Sequence, residues 1–130
     1  MNRAPFLSML VLPIALLLLA GPALAIEVSR AQFTTGVENR EPVDKVTTLD
    51  TRHGKIYFFS EIRNGQGQAV THRWLYRGDV MAEVPFDIGG PRWRIWSSKT
   101  LLPAWTGTWT VQVVDSNGEV LTEMRFEYGE

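Results

Sequence analysis

The feature that most constrains this chain is period-two alternation of apolar residues, repeated in short runs and broken by turn residues. Lys55–Ile62 places Ile56, Phe58, Ser60 and Ile62 on one face. Val70–Tyr76 does the same with Val70, His72, Trp74 and Tyr76, and Val80–Ile88 with Val80, Ala82, Val84, Phe86 and Ile88. Trp93, Ile95 and Ser97 alternate, then Trp109, Val111 and Val113, then Val120, Thr122, Met124 and Phe126. Ile26, Val28 and Phe33 suggest a first strand, and Val46–Leu49 is a weaker candidate. From Ile26 onward, no stretch of ten or more residues carries helical apolar spacing. The chain reads as all-β.

Between the runs stand Asn64-Gly65-Gln66-Gly67, Arg77-Gly78-Asp79, Gly89-Gly90 and Ser116-Asn117-Gly118, residues that tolerate positive φ. If each makes a hairpin, register follows by arithmetic. Centring the first on Gln66 sets Phe58 against Trp74, Ser60 against His72 and Ile62 against Val70. Centring the second on Gly78 sets Trp74 against Ala82, His72 against Val84 and Arg73 against Glu83. A two-residue Gly89-Gly90 turn sets Phe86 against Trp93, Val84 against Ile95 and Asp87 against Arg92. The expectation is a continuous meander. Pro85 cannot donate to a ladder and belongs on an edge, or where the chain changes sheets. Seven or eight short strands, each with one buried face, make an antiparallel two-sheet sandwich, immunoglobulin-like by default, with a small barrel as the alternative.

The first 25 residues form a separate object. Arg3 gives a positive start, Phe6–Ala20 is an uncharged run, and Ala23-Leu24-Ala25 offers small residues for a signal peptidase. The apolar run is shorter than the roughly 20 residues of a spanning helix. A cleaved secretory signal is therefore expected over residues 1–25, with cleavage between Ala25 and Ile26, one domain over residues 26–130, and a periplasmic or secreted location. The membrane would then be met only in transit. Zero cysteines exclude disulfides and thiolate metal sites, and 13 basic against 14 acidic residues argue against a nucleic-acid partner.

The chemistry-bearing residues are few. His53 and His72 are the only histidines. A zinc site would need both plus Asp50, Glu61 or Asp79, whereas the alternation turns His72 inward beside Ser60. No metal or other cofactor is expected. A small hydrolase or metal-dependent enzyme centred on His72 and Ser97 is the alternative, although no Gly-x-Ser-x-Gly elbow is present. Glu38 and Glu41 flank Arg40 and suggest a charge-paired loop.

The aromatic residues are more telling. Of five tryptophans, Trp74, Trp93 and Trp109 fall on inward positions. Trp96 falls on the outer parity beside Arg94 and Arg92, and Trp105 lies in a loop. Tyr57, Phe59, Leu75 and Met81 also take the outer parity. A recognition surface is therefore expected from Tyr57, Phe59, Arg73, Arg94, Trp96 and Trp105, bordered by Glu83, with rings for flat apolar area and arginines for bidentate or stacking contacts. The competing reading is that a loop covers these rings, or that arginines stack on them. A binding role toward an envelope protein or a cell-wall glycan is the expectation; a purely structural role beside a partner is a further alternative.

Thr35-Gly36-Val37, Arg40-Glu41-Pro42, Thr71-His72-Arg73-Trp74, the run Gly89–Ser98 and Gly107–Val111 together resemble a bacterial envelope family known as "domain of unknown function 2914". The resemblance spans about Ala31 to Phe126, and Asp50–Gly54 looks shorter than that family's pattern. It implies an extracytoplasmic all-β domain. It brings no activity, ligand or catalytic residue to any position here.

Overall fold

The computed structural model describes residues 24–129. The expected leader therefore lies outside the described residues, apart from Leu24 and Ala25. Ten strands follow in order: β1 Glu27–Thr34, β2 Val37–Glu38, β3 Glu41–Pro42, β4 Thr48–Leu49, β5 Lys55–Arg63, β6 Ala69–Tyr76, β7 Asp79–Asp87, β8 Arg92–Thr100, β9 Gly107–Asp115 and β10 Val120–Tyr128.

They form a three-stranded sheet, β1-β5-β8, a five-stranded sheet, β4-β10-β9-β6-β7, and a two-stranded hairpin, β2-β3. All pairings are antiparallel except the short one between β4 and β10. Neither large sheet closes on itself, so the small-barrel alternative does not hold and a sandwich-type architecture does.

The inward faces are those that the alternation marks. Ile56, Phe58 and Ile62 of β5 meet Val70 and Trp74 of β6, Val111 and Val113 of β9 and Phe126 of β10 in one core, all at most 2% exposed. Phe33 sits at its centre, with its ring 5.0 Å from Phe58 and 4.7 Å from Phe126. A bulge at Ser29 lets β1 supply both Val28 and Phe33 to this side despite their unlike parity. Each such large side chain contributes roughly 1.5–3 kcal/mol through burial. At one end, Tyr76 stacks on Trp109 at 4.6 Å, and its hydroxyl donates to the Thr106 carbonyl at 2.7 Å.

Of the four expected hairpins two form, one across Ser116-Asn117-Gly118 between β9 and β10 and one across Arg77-Gly78 between β6 and β7. Across Arg77-Gly78, Trp74 faces Ala82, His72 faces Val84 and Arg73 faces Glu83, as the arithmetic requires. The two positive-φ residues there, Arg77 at 50° and Gly78 at 82°, give the tight turn. The other two are corrected. After β5 the chain crosses at Asn64–Gly67 to the opposite sheet, and after β7 it crosses back at Gly89-Gly90. Neither Phe58 with Trp74 nor Phe86 with Trp93 is a ladder pair. Alternation tells which side chains are hidden, and it is the same for two strands paired in a sheet as for two strands facing across a core. Pro85 lies on β7, the edge of its sheet, opposite Thr71, where its missing N–H leaves no gap in the ladder.

Candidate functional site

The outer face of the three-stranded sheet is built from cross-strand rows. Arg30, Glu61 and Arg94 form one row across β1, β5 and β8; Gln32, Phe59 and Trp96 form the next; Thr34, Tyr57 and Ser98 a third. Tyr57, Phe59, Arg94 and Trp96, expected to share a face, do so. Arg73, with Leu75 and Met81, does not join them. Because β5 and β6 belong to opposite sheets, their outer faces point away from each other. Arg73 instead pairs with Glu83 at 3.1 Å on the far side of the molecule. Trp105 sits in the β8–β9 loop, half-buried beside Trp109 and under Lys99, whose Nζ lies 5.2 Å from its ring.

Phe59 is corrected too. It is 0% exposed. Arg30 lies over its ring at 4.9 Å, and the β2–β3 hairpin is clasped to this face through Glu41. That carboxylate accepts from Arg30 Nη2 at 2.6 Å and from Arg94 Nη1 at 2.8 Å. The bonds from Arg30 and then Arg94 hold its pKa down to about 2. Glu41 thus pairs with β1 and β8, not with its sequence neighbour Arg40. The hairpin's base is tied by Asp44, which accepts from the Thr34 and Thr35 hydroxyls and the Thr35 N–H.

A second carboxylate shares Arg30 with Glu41. Glu61 is 1% exposed, yet burial, which would raise its pKa, is overcome by the bonds from Ser29 at 2.9 Å and Arg92 at 3.0 Å. Arg63 at 3.5 Å and Arg30 at 3.6 Å complete its shell. Sequence reasoning took Glu61 only as a spare metal ligand; nothing in the spacing reveals that arginines from three strands converge on it.

Two adjoining clefts, of about 290 and 310 Å³, open along β8. The first is lined by Arg40, Arg92, Trp93, Arg94 and Trp96; the second by Phe86, Trp93, Arg94, Ile95 and Trp96. Trp93 was expected in the core and is 37% exposed, because it stands at the sandwich rim with its ring against Gly89 and Gly90. Arg40 makes no ion pair among the described residues and occupies the left-handed region at φ 62°, after Asn39 at 51°. A non-glycine residue held there is strained by about 1 kcal/mol. Three guanidinium groups and two half-exposed indoles around one cleft suit an anionic ligand with a flat or apolar part.

The other chemistry-bearing cluster is internal. His72 is 0% exposed, packed between the Phe58 and Phe86 rings at 4.9 and 4.8 Å. Its Nε2 lies 2.8 Å from the Ser60 hydroxyl and its Nδ1 2.7 Å from that of Ser97, which also accepts from Trp74 Nε1 at 3.1 Å. Burial alone pushes the imidazole pKa down to about 3. Every buried polar side-chain atom among the described residues is satisfied. His53 lies in the β4–β5 turn, and no group of three or more His, Asp or Glu able to hold a metal ion exists among the described residues.

No curated protein matches the sequence. Among solved structures, one titled as the crystal structure of an endonuclease/exonuclease/phosphatase from Beutenbergia cavernae DSM 12333 is similar over 82% of this chain and 35% of that chain. The identity is 13% and the TM-score 0.33, a likeness too slight to carry an argument. The family model described as "Protein of unknown function (DUF2914)" matches residues 67–128. That range holds the Thr71–Trp74, Gly89–Ser98 and Gly107–Val111 blocks and the cleft's Arg92, Trp93, Arg94 and Trp96, but not Arg40 or Glu41. Over roughly its C-terminal half, then, the chain matches the DUF2914 family model.

Proposed function

We propose that this chain is an exported, non-catalytic binding domain whose partner, an envelope protein or a cell-wall glycan, presents negative charge to the arginine–tryptophan cleft on β8. The observation that carries the reading is the convergence of Arg40, Arg92 and Arg94 on a cleft walled by Trp93 and Trp96. Surface arginines and tryptophans are the side chains that dominate binding energy when a partner desolvates them. The histidine–serine cluster, sealed in the core, suits fold specification better than turnover. The layout of residues 1–25 supports export, with the mature chain starting at Ile26.

The finer fold reading is immunoglobulin-like. Counting only the seven long strands, the sheets run 1-2-5 and 7-6-3-4. That is the constant-type immunoglobulin arrangement with the fourth strand moved to the other sheet. The third long strand carries a fully buried tryptophan, Trp74, as such domains do.

A photo-cross-linking residue at Ser98, beside the cleft, tests the binding reading against one at Gln112, on the opposite sheet. Adducts formed in the native host at position 98 alone, and lost in Arg92→Ala/Arg94→Ala, are the expected result. Equal labelling at both positions would sink it. Mass analysis of the exported protein checks the start at Ile26.

A further inference from the structure

Resting on the cleft as a binding site, we infer that its occupant is an extended acidic segment of a partner protein, added as a fourth strand to the open edge of β8. Three observations carry this. First, β8 pairs with β5 on one side only and ends its sheet, so its outer N–H and C=O groups have no ladder partner among the described residues. Second, the clefts track that edge and not a face. Successive strand residues point to opposite faces, yet Trp93, Arg94, Ile95 and Trp96 all line the second cleft, and Trp93 and Arg94 also line the first. A ligand touching both parities in succession lies alongside the strand.

Third, the chemistry alternates as a strand ligand would read it. Arg92, Arg94 and Trp96 take the outer parity; Trp93 and Ile95 take the inner, with Phe86 beyond them. An added strand therefore sets acidic side chains, two residues apart, beside Arg92 and Arg94, and apolar ones beside Trp93 and Ile95. Arg40, on the hairpin above, closes over the acidic row. Glu41 and Glu61 occupy only part of the guanidinium donors here, since Arg94 gives Nη1 to Glu41 and Arg92 gives Nε to Glu61. Exposed edges are commonly guarded by charge. Guarding does not account for two indoles, 36% and 37% exposed, on the same edge. Main-chain pairing supplies affinity and the alternate side chains supply selectivity.

The experiment titrates the full chain with a decapeptide alternating glutamate and valine, followed by tryptophan emission and backbone amide shifts. Two further peptides carry N-methyl groups on its odd or its even residues, and oligogalacturonate serves as the acidic glycan. Strand addition expects binding of the parent peptide and of one methylated isomer. The other isomer binds at least tenfold more weakly, because only one set of amides faces β8. Amide shifts should centre on Trp93–Ser97, and Arg92→Glu/Arg94→Glu, shown folded by its melting curve, should lose the peptide. Equal binding by both methylated isomers, or binding of oligogalacturonate without the peptide, overturns strand addition and leaves the anionic cleft standing. No binding by any probe also overturns it, and the Ser98 cross-link then decides whether the cleft reading falls as well.

Discussion

Ser60 and His72 belong to different sheets and share no ladder, yet the serine hydroxyl lies 2.8 Å from the imidazole Nε2 across the core. Ser97 reaches the other ring nitrogen at 2.7 Å, so one histidine links two strands of one sheet to a strand of the other. Inside an apolar core such a contact fixes which residue faces which, since a slipped arrangement would leave several polar atoms unpaired.

The first prediction concerns pH. The folded-state pKa of His72 is about 3, against 6.5 for the free side chain. Below pH 6.5 the unfolded chain takes up a proton that the native state refuses, so stability falls as pH falls towards 3. The slope approaches about 1.4 kcal/mol per pH unit. The depressed carboxylates Glu41 and Glu61 contribute above 4.5 and lose that contribution only below it. The decline between pH 6.5 and 4.5 is thus the signature of His72. Urea unfolding across that window should show it in the native sequence and a flattened line in His72→Gln, which is also about 1–3 kcal/mol less stable at pH 7.

Glu61→Gln removes the charge on which Ser29, Arg92, Arg63 and Arg30 converge. The arginines are partly solvated, with side-chain exposures of 54%, 48% and 35%, so the loss at neutral pH is expected near the low end for buried ion pairs, about 2 kcal/mol. The gap between variant and native protein should narrow as pH drops below 4.5, where the unfolded chain's Glu61 takes up a proton before the native one does. A gap unchanged at pH 3 would mean that shape, not charge, is what Glu61 supplies.

Arg40→Gly separates folding from binding. Glycine takes the left-handed region without strain, so the variant should melt higher, by about 1 kcal/mol of stability. The same change removes the one cleft arginine without an ion pair and should weaken an acidic ligand severalfold. A variant both less stable and equally tight would show that Arg40 supports the hairpin and nothing more.

Gly89→Ala tests the cleft wall. A Cβ there would lie 2.8 Å from Trp93 Cη2, so the indole must shift outward. Destabilisation of about 1 kcal/mol is expected, with a red-shifted emission and weaker ligand binding. Gly54→Ala, whose added Cβ meets nothing within 4 Å, is the matched control.

What could be read from the residues follows from what alternation encodes. It marks Trp74, Trp109, Phe58 and Ile62 as hidden, while the missing N–H of Pro85 puts that residue on an edge. It does not encode sheet membership. Asn64-Gly65-Gln66-Gly67 has the residues of a hairpin and serves as a crossing between sheets, so Tyr57 and Arg73 part company. Nor does it reveal that a two-residue strand pair around Asn39 and Arg40 is clasped to the three-stranded sheet, because that docking depends on Arg30, Glu41 and Arg94, far apart in sequence. That Arg92, Arg94 and Trp96 share a face was legible from parity; that their strand is an edge was not, and Arg40 and Trp93 join them only in three dimensions.

The parallel pair formed by Thr48-Leu49 with Glu127-Tyr128 has a kinetic consequence. Gly129 donates to the Leu49 carbonyl, and the Tyr128 hydroxyl lies within 3.3 Å of the carbonyls of Thr51 and His53. The last strand therefore latches a segment laid down some 80 positions earlier. That pairing spans almost the whole domain, so it carries a large loop-closure cost and is expected to form late in folding, after the hairpins on either side of it.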